Sequence, residues 1–316
     1  MHSPEQRGQH PKTHKEEFLM PEKIADAVQP DAWYEALPRP QYATLEAVEQ
    51  PDPWFSVYRL PCDVYAIYEP GHFQEVISYL VLGGEKALLI DTGMGMGNIK
   101  KVVDFLTDKP LVVVNTHSHF DHIGCNWMFE KVHIYNHPGA IRRMKEGLTH
   151  QEVEDNLKPG SNWIPYPDDF VPEEYAIKPC NYQPIENGHQ FDLGGRVLTA
   201  FNTPGHSPDS IMLADDANKL LFTGDTFYPA TLYAHLDSHD GLKSVIDTYK
   251  KTMEEVAAKY GDYTLICSHN EPMREGKTLG QVADAFAAIE AGDLPYQEDE
   301  NHLKKYTFDG FCIVTL

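Results

Sequence analysis

The sequence predicts an α/β fold in which mixed β-sheets are covered by helices. Three features of the 316-residue chain lead to this expectation. Apolar stretches of strand length alternate with segments of helical periodicity along most of the chain. Some strands, such as PLVVVNTH at 110–117, are continuously apolar, which is typical of strands buried on both faces. Five apolar strands are followed directly by Asp or His, which predicts a functional edge where those strands end.

The first part of the predicted domain alternates strands with two helices. Apolar residues alternate or run continuously in its strands, whereas its helices space them by three and four. The predicted strands are WFSVYRL, DVYAIYE, VISYLVLGG, KALLIDTG, PLVVVNTH and VHIYNH, and the predicted helices are IKKVVDFLTD and GAIRRMKEGL. This order, continued in the rest of the chain, predicts mixed sheets that are covered by helices.

A long insertion at 146–185 separates this part from the rest. It is rich in acids and prolines and contains Trp163, Tyr166, Phe170 and Tyr175. After it, HQFDLGGRVLTAFNTPGH predicts a hairpin, and SIMLADDANKLLFTGD predicts two strands joined by a polar turn. The helices GLKSVIDTYKKTMEEVAAKY and TLGQVADAFAAIEAG are predicted on either side of the strand YTLICSH.

The composition of residues 1–50 predicts an N-terminal extension before a domain at 51–316. This extension is rich in Pro, Glu and Gln and contains one short helical candidate, PEKIADAV. We expect its start to be partly disordered. The remainder is expected to wrap on the domain or to mediate self-association, which would make the protein a homodimer.

Charge and cysteine content narrow the classes of partner and compartment. The formal net charge of −22 repels phosphate backbones and anionic membranes, so neither nucleic acid nor a membrane is an expected partner. No apolar run is long enough to span a bilayer, and the polar N-terminus lacks a secretory h-region. Five scattered cysteines argue against a disulfide framework and predict a cytoplasmic location.

The segment VVVNTHSHFDHIGCN at 112–126 contains the main chemical signal of the sequence. His117 and His119 lie two apart on an extended segment, and Asp121 and His122 must follow in a turn to join them. Imidazole nitrogens and a carboxylate that converge in this way suit Zn²⁺. Six residues cannot complete two coordination shells, so ligands from distant strand ends are required. The candidates are His206 in TPGH, Asp225 in TGDT and His269 in CSHN.

These motifs together resemble the metallo-β-lactamase superfamily over about residues 55–316. They are DTG with Asp91, THSHFDH, PGH, TGD and the late strand-end His269. The resemblance implies an αβ/βα sandwich of two mixed β-sheets flanked by helices, with two zinc ions per chain at one edge. Iron or manganese are alternative metals.

The resemblance also implies a role for each motif residue. His117, His119 and His206 would bind one ion, and Asp121, His122 and His269 the second. Asp225 would bridge both ions. Asp91 would hold a ligand histidine in place. The family chemistry is hydrolysis by a metal-bridging hydroxide, with Asp121 moving its proton to the leaving group.

The TPGHSPDS and FTGDTFY segments are closest to the glyoxalase II and acyl-homoserine lactonase types of this family. In such lactonases a tyrosine in the position of Tyr228 donates to the developing oxyanion, although plain packing beside the metal edge is an equal alternative for Tyr228. We therefore expect a small-molecule substrate with an ester-type bond, in a lactone or a thioester. Trp163 and Tyr166 of the insertion are candidates to line the substrate pocket. His235 is a further candidate, with a surface position as its alternative.

Three other functions remain open from the sequence. One is a phosphodiesterase or sulfatase of the same fold. It is less favoured because the basic residues nearest the cluster, Lys131, Arg142 and Arg143, are expected to face solvent and so to provide no clamp for a phosphate. Another is an oxidoreductase that resembles the mononuclear-iron persulfide dioxygenases. The third is a weakly active binding or regulatory protein.

Overall fold

Two mixed β-sheets face each other, and helices cover the outer face of each. The computed structural model describes residues 33–234, 246–292, 294–299 and 301–316. The α/β sandwich predicted from the sequence is confirmed, and a smaller third sheet is added to it.

The first sheet contains eight strands in chain order. They are β1 (Glu46–Val48), β2 (Ser56–Leu60), β3 (Val64–Tyr68), β4 (Ile77–Leu82), β5 (Ala87–Ile90), β6 (Leu111–Val114), β7 (Val132–Tyr135) and β8 (Tyr182–Ile185). Strands β1 to β5 pair antiparallel, and β5 to β8 pair parallel. The parallel half therefore brings the ends of β5 and β6 to one edge.

The second sheet has the order β15-β14-β12-β11-β10-β9. Its strands are β9 (Gln190–Asp192), β10 (Val197–Asn202), β11 (Ile211–Asp215), β12 (Leu220–Phe222), β14 (Thr264–Ile266) and β15 (Met273–Glu275). The third sheet has the order β13-β18-β17-β16, from β13 (Thr231–Tyr233), β16 (Gln297–Glu298), β17 (Lys304–Phe308) and β18 (Phe311–Thr315). Strands β1, β8, β13, β15 and the three C-terminal strands were not foreseen from the sequence.

The helices are α1 (Ile99–Leu106), α2 (Phe120–Ile123), α3 (Pro138–Glu146), α4 (His150–Val153), α5 (Ile246–Tyr260) and α6 (Thr278–Ala291). Short 3₁₀ turns occupy Trp33–Ala36, Pro40–Thr44, Asn126–Met128, Glu154–Leu157, Pro172–Glu174 and Gly224–Thr226. Helices α1, α3, α5 and α6 lie where the sequence predicted helices. The predicted start of α5 at Gly241 and the candidate helix PEKIADAV lie outside the described residues.

Alternation along the strands divides the apolar core between the layers. On β5, Leu88 and Ile90 face the second sheet, whereas Leu89 faces the layer that contains α1 and α3. On β11, Leu213 faces the first sheet and Met212 faces α5 and α6. Each such fully buried aliphatic side chain contributes about 1.5–3 kcal/mol. Apolar clusters lie on both faces of both main sheets, as the continuous apolar run at 110–117 predicted for its own strand.

Residues 33–48 pack on the first sheet. Trp33, Leu37 and Tyr42 belong to the core between the two main sheets, and β1 pairs with β2. The division of the chain into an extension at 1–50 and a domain at 51–316 stays a prediction.

Two backbone hydrogen bonds join the main sheets at one edge. The N–H of Ile211, at the start of β11, donates to the carbonyl of Thr116 at 2.8 Å. The N–H of Ile77, at the start of β4, donates to the carbonyl of Ser268 at 2.7 Å. Each acceptor immediately precedes a predicted ligand, so the two sheets are held together where those ligands lie.

No helix of the described residues is long and apolar enough to cross a membrane.

Glu69, just after β3, is a buried carboxyl group inside this fold. It accepts hydrogen bonds from Trp54 Nε1 at 2.5 Å and from the N–H of Met94 at 2.9 Å. Burial raises its pKa from 4.5 to about 7, and the charges of Asp121 and Asp52 add to the effect. Unfolded chains ionise this group near pH 4.5, whereas the folded chain keeps it protonated to about pH 7. Glu69 therefore disfavours folding progressively as the pH rises between these values.

We predict that Glu69→Gln removes this pH dependence. Relative to the variant, the wild type should lose about 3 kcal/mol of unfolding free energy between about pH 4.5 and 7.5, because folding raises the pKa of Glu69 from 4.5 to about 7. Urea unfolding of both metal-free proteins across this range measures the difference. The exposed Glu49→Gln is the control. A wild-type-minus-variant difference that does not change with pH would contradict the prediction.

Candidate metal centre

The predicted ligands meet at the edge where the two sheets are joined. Three groups of side chains each bring their ligand atoms within 4.8 Å of one another. The groups are His117, His119 and His206; His117, His122 and Asp225; and Asp121, His122 and His269. The structure thus brings together all seven side chains that the sequence named.

The loop after β6 positions four of the seven. His117 lies in the bend after β6 and His119 on extended backbone, and Asp121 and His122 lie in the single turn of α2, where the sequence expected a turn. The carbonyl of His122 accepts hydrogen bonds from the N–H of Thr92 and from Asn115 Nδ2, both at 2.9 Å. These contacts fix the C-terminal end of α2, and with it the direction of the His122 ring.

The Asp225 carboxylate lies between the two halves of the centre. Its Oδ1 is 3.2 Å from His122 Nε2 and 3.1 Å from His269 Nε2. Its Oδ2 is 3.4 Å from His206 Nε2 and 3.9 Å from His117 Nε2. The preceding Gly224 has φ +49°, and a Cβ there would lie 2.7 Å from the Cβ of Thr116. Glycine in the TGD motif is therefore required for Asp225 to approach the histidine loop.

Asp121 lies on the side of His122 and His269. Its Oδ2 is 3.6 Å from His122 Nε2 and 3.7 Å from His269 Nε2, and the residue is 4% exposed. One carboxylate oxygen of Asp121 therefore lies at the margin of the group that contains His122 and His269. The sequence predicted that Asp121 acts there as a metal ligand and as a proton carrier.

The donor atoms fit divalent metal ions. His206 Nε2 and His119 Nδ1 are 2.9 Å apart. A hydrogen bond between these two nitrogens requires that one of them carries a proton. Buried His117 Nε2 and Asp225 Oδ1 have no hydrogen-bond partner among the described residues. Nitrogen and carboxylate donors that converge in this way match the preference of Zn²⁺.

Burial keeps three histidines neutral. It lowers the pKa of His117 and His119 well below the ordinary value, and neighbouring imidazoles lower it further. The pKa of His206 is lowered by the same burial. Neutral imidazole is the form that binds a metal ion.

The remaining ligands attract positive charge. Burial alone would lower the pKa of His122 and His269, but the charge of Asp225, assisted by Asp121, outweighs it and raises both. Burial alone would raise the pKa of Asp225, and the surrounding imidazoles instead hold it well below its usual range. A bound cation would compensate the same negative charge of Asp225 and Asp121 that here favours protonation of His122 and His269.

Two histidine rings are oriented by hydrogen bonds from the ring nitrogen that does not face the centre. Asp91, with φ +63°, accepts from His122 Nδ1 at 2.8 Å and from the N–H and hydroxyl of Thr116. The carbonyl of Gln74 accepts from His269 Nδ1 at 2.6 Å. The sequence named Asp91 for this task. It did not foresee Gln74, because a backbone carbonyl leaves no trace in the residue type.

Asp209 is a further supporting group that the sequence reasoning missed. Its Oδ2 accepts from the N–H of Ser118, between His117 and His119, at 2.9 Å, and its Oδ1 accepts from Ser207 Oγ at 2.8 Å. It therefore joins the loop of His206 to the histidine loop. An acid three residues after His206 in TPGHSPDS was the available signal.

The expectation that Arg143 faces solvent is wrong. Lys131 and Arg142 are exposed, as expected, but Arg143 is buried and donates to the carbonyl of Ser118 at 2.7 Å. Its charge contributes to the lowered pKa of His119. The helical period of α3 turns Arg143 inward and Arg142 outward, which the sequence reasoning did not resolve.

Tyr228 reaches the centre through its ring. The ring lies 4.7 Å from that of His269, and its hydroxyl donates to the carbonyl of Thr231 at 2.6 Å. Burial raises the pKa of Tyr228 well above its ordinary value, so the phenol stays protonated. An oxyanion role would require this hydroxyl to leave Thr231.

The predicted pocket residues lie on the insertion. Trp163 is 39% exposed and donates from Nε1 to the carbonyl of Pro70 at 2.6 Å. Tyr166 stacks on Trp54 with 6.2 Å between ring centroids, beside a cleft of about 730 Å³. His235 lies outside the described residues. A substrate role for these three residues stays a prediction.

The fold and these donor sets define a metal-dependent hydrolase. A sequence model described as the metallo-beta-lactamase superfamily matches residues 74–269, and the chain belongs to that superfamily.

Curated relatives agree with this class. The acyl-coenzyme A thioesterase MBLAC2 of Homo sapiens is 29% identical over 209 residues, covering 60% of this chain and 70% of that protein. The protein of the same name from Gallus gallus is 28% identical over 199 residues, covering 57% and 68%. A probable metallo-hydrolase of Streptococcus pyogenes is 28% identical over 159 residues, covering 49% and 63%.

Solved structures agree in fold. The DIM-1 metallo-beta-lactamase, in a crystal exposed to ceftazidime, has a TM-score of 0.51 at 13% identity and covers 77% of this chain and 100% of its own. The mono-zinc form of FIM-1 from Pseudomonas aeruginosa has a TM-score of 0.50 at 16% identity and covers 74% and 96%. At these identities the likeness concerns the fold alone.

We predict that Asp91→Asn weakens metal binding without unfolding the chain. One amide –NH₂ would then face either the His122 Nδ1–H or the Thr116 donors, and loss of such an orienting partner typically costs about 10–100-fold in affinity. Zinc titration against a chromophoric chelator measures this. Asp104→Asn, an exposed acid paired with Lys100 on α1, is the control. Equal zinc affinity in Asp91→Asn and wild type would refute the orienting role.

Proposed function

We propose that this protein is a dinuclear zinc hydrolase that cleaves an acyl thioester. The observation that carries the proposal is the seven-donor set at the sheet edge, with Asp225 between its two halves. The thioesterase relatives favour a thioester over the lactone that the sequence left equally open. A cytoplasmic location and homodimerisation remain part of the proposal; five free cysteines are consistent with the first.

Under this proposal His117, His119 and His206 hold one zinc ion. Asp121, His122 and His269 hold the other, and Asp225 contacts both. When bound, two such ions lower the pKa of water to make a nucleophile near neutral pH and polarise the carbonyl under attack. Asp91, Asp209 and the Gln74 carbonyl keep the rings in the orientation that this requires.

Proton transfer falls to Asp121 in this scheme. Its Oδ2 lies at the margin of the ligand set and within 3.7 Å of the His269 ring nitrogen. It would accept the proton of the attacking water and pass it toward the leaving group. This resembles general base catalysis by other carboxylates that are held at hydrogen-bonding reach of a reacting water.

The leaving group gives a chemical reason to prefer a thioester. A thiol has an ordinary pKa near about 8.5, so a thiolate departs without a strong proton donor, whereas a lactone releases a far more basic alkoxide. Two phenols that lie beside the ligands already donate hydrogen bonds. Tyr228 donates to the Thr231 carbonyl, and Tyr249 donates to the carbonyls of Asp225 and Thr226. Neither hydroxyl is therefore available, in this arrangement, to protonate an alkoxide.

A phosphodiester is the second candidate because of Arg143. A buried guanidinium so near His119 could attract an anionic substrate. Its Nη1 already donates to the Ser118 carbonyl and only 6% of the residue is exposed, so the guanidinium offers a phosphate little accessible surface. The thioester therefore stays the preferred substrate class.

A substrate panel on the zinc-loaded protein tests the proposal. We expect kcat/KM for an acyl-coenzyme A to exceed that for a homoserine lactone, an aryl phosphodiester and an aryl sulfate by at least tenfold, which is about 1.4 kcal/mol. Metal content is measured on the same sample. Asp225→Asn is the control, because it should abolish turnover and so exclude a contaminating esterase.

Other outcomes of the panel reassign the function. A tenfold advantage of the phosphodiester or sulfate would select that alternative, and an advantage of the lactone would select a lactonase. One iron per chain with oxygen consumption on a persulfide would select the dioxygenase. Negligible turnover of every substrate would favour the binding or regulatory protein.

We predict that Tyr228→Phe changes stability more than turnover. The variant leaves the buried Thr231 carbonyl without its donor, which should cost about 1–3 kcal/mol of unfolding free energy. Turnover of the thioester should stay within about tenfold of the wild-type rate. Thermal unfolding and steady-state kinetics measure the two effects. A turnover number lowered by about 100-fold or more, as expected when an oxyanion donor is removed, would instead assign that role to Tyr228.

A further inference from the structure

A buried ion pair connects the N-terminal segment to the loop before β4. Arg39 is 3% exposed, and Glu75 is fully buried. Arg39 Nε donates to Glu75 Oε1 at 3.0 Å, and Nη2 contacts Oε2. The hydroxyl of Tyr68 also donates to this carboxylate. A two-point guanidinium–carboxylate contact of this kind fixes both position and direction of the carboxylate.

Glu75 is adjacent to the residue that orients His269. The carbonyl of Gln74 accepts from His269 Nδ1 at 2.6 Å, and the carbonyl of Glu75 accepts from the N–H of Asn270 at 3.2 Å. Glu75 has φ +47° and Asn270 has φ +65°. Asparagine adopts this left-handed region readily, whereas glutamate does not, so surrounding contacts must hold the loop of Glu75 in place.

The same N-terminal segment also contacts the loop that follows His269. The hydroxyl of Tyr42 donates to the carbonyl of Asn270 at 2.9 Å. Gln41 exchanges two hydrogen bonds with the backbone of Met273, at 2.8 and 2.9 Å. Residues 39–42 therefore touch both loops that meet at His269, one through Glu75 and the other through Asn270 and Met273.

We propose that Arg39 is a positioning residue for the second metal ion. Through Glu75 it fixes the Gln74 carbonyl, and this carbonyl selects the tautomer of His269 that carries its proton on Nδ1. When a metal ion is bound, Nε2 would then direct its lone pair at the ion, on the side where Asp121, Asp225 and His122 lie. This inference rests on the proposed dinuclear site. It assigns to residues 39–42, which the sequence placed in an extension, a part in building that site.

The experiment is a Zn²⁺ titration of the full chain, with competing chelators that separate a tight and a weak ion. Wild type, Arg39→Ala and Arg39→Lys are compared. We expect Arg39→Ala to weaken the second ion about 10–100-fold and to leave the first, bound by His117, His119 and His206, within about twofold. Arg39→Lys keeps the charge but loses the two-point contact, so its effect should be intermediate. Arg39→Lys also tests the proposal if Arg39→Ala does not fold.

Arg196→Ala is the matched control. Arg196 and Asp215 form another buried pair, with 8% and 0% exposure. Arg196 also donates to the carbonyl of Leu82, which pairs with Ala87 at the end of β4 and β5 opposite to Asp91. Arg196→Ala should lower the thermal midpoint as Arg39→Ala does, but leave both zinc affinities unchanged.

The titration separates this inference from the proposed function. If wild type binds two ions and Arg39→Ala binds both as tightly, the positioning role is overturned while the dinuclear site stands. Equal weakening of both ions in Arg39→Ala, or the same loss in Arg196→Ala, also overturns it, because either result reports general destabilisation. A wild type that binds one ion overturns both proposals.

Discussion

The site depends on the way two separate sheets meet at one edge. The carbonyls of Thr116 and Ser268 accept the N–H groups of Ile211 and Ile77 across the gap between the sheets. Each carbonyl lies one residue before a ligand, so His117 and His269 are positioned by the backbone itself. Because the sheets are packed on both faces, this distance cannot relax without opening the core between them.

Around that junction, the negative charge of buried carboxylates favours the binding of a cation among the imidazoles. Asp225 lies between two pairs of histidines, and its charge raises the pKa of His122 and His269 against the effect of burial. Buried charge of this kind is costly unless it is compensated. Asp91, Asp209 and the Gln74 carbonyl accept hydrogen bonds from the outer side of the centre, which leaves the inward nitrogens and oxygens directed at one another. The centre is therefore preorganised for positive charge.

Sequence reasoning found the candidate ligands that the structure brings together, because strand ends and residue types are local signals. VVVNTH and LLFTGD specify both a buried strand and the donor that follows it. It did not foresee the burial of Arg143, the Gln74 carbonyl or the Arg39–Glu75 pair. These depend on helix rotation or on contacts between residues 36 and 195 positions apart, for which a single sequence contains no pattern. In the C-terminal sheet, β16 and β17 are short and largely polar and so give little signal, whereas β18 is apolar and buried throughout and its signal was overlooked.

The ligand set also links metal binding to closure of the chain. Four ligands lie within residues 117–122, but His206, Asp225 and His269 arrive only when the second sheet has docked on the first. Metal bound to the complete set therefore stabilises the contact between the sheets, since the unfolded chain offers no such site. The contacts of Gln41 and Tyr42 with the loop after His269 extend this dependence to the N-terminal segment. Those contacts join residues 232 and 228 positions apart, so the half of the site that contains His269 forms only with long-range closure of the fold.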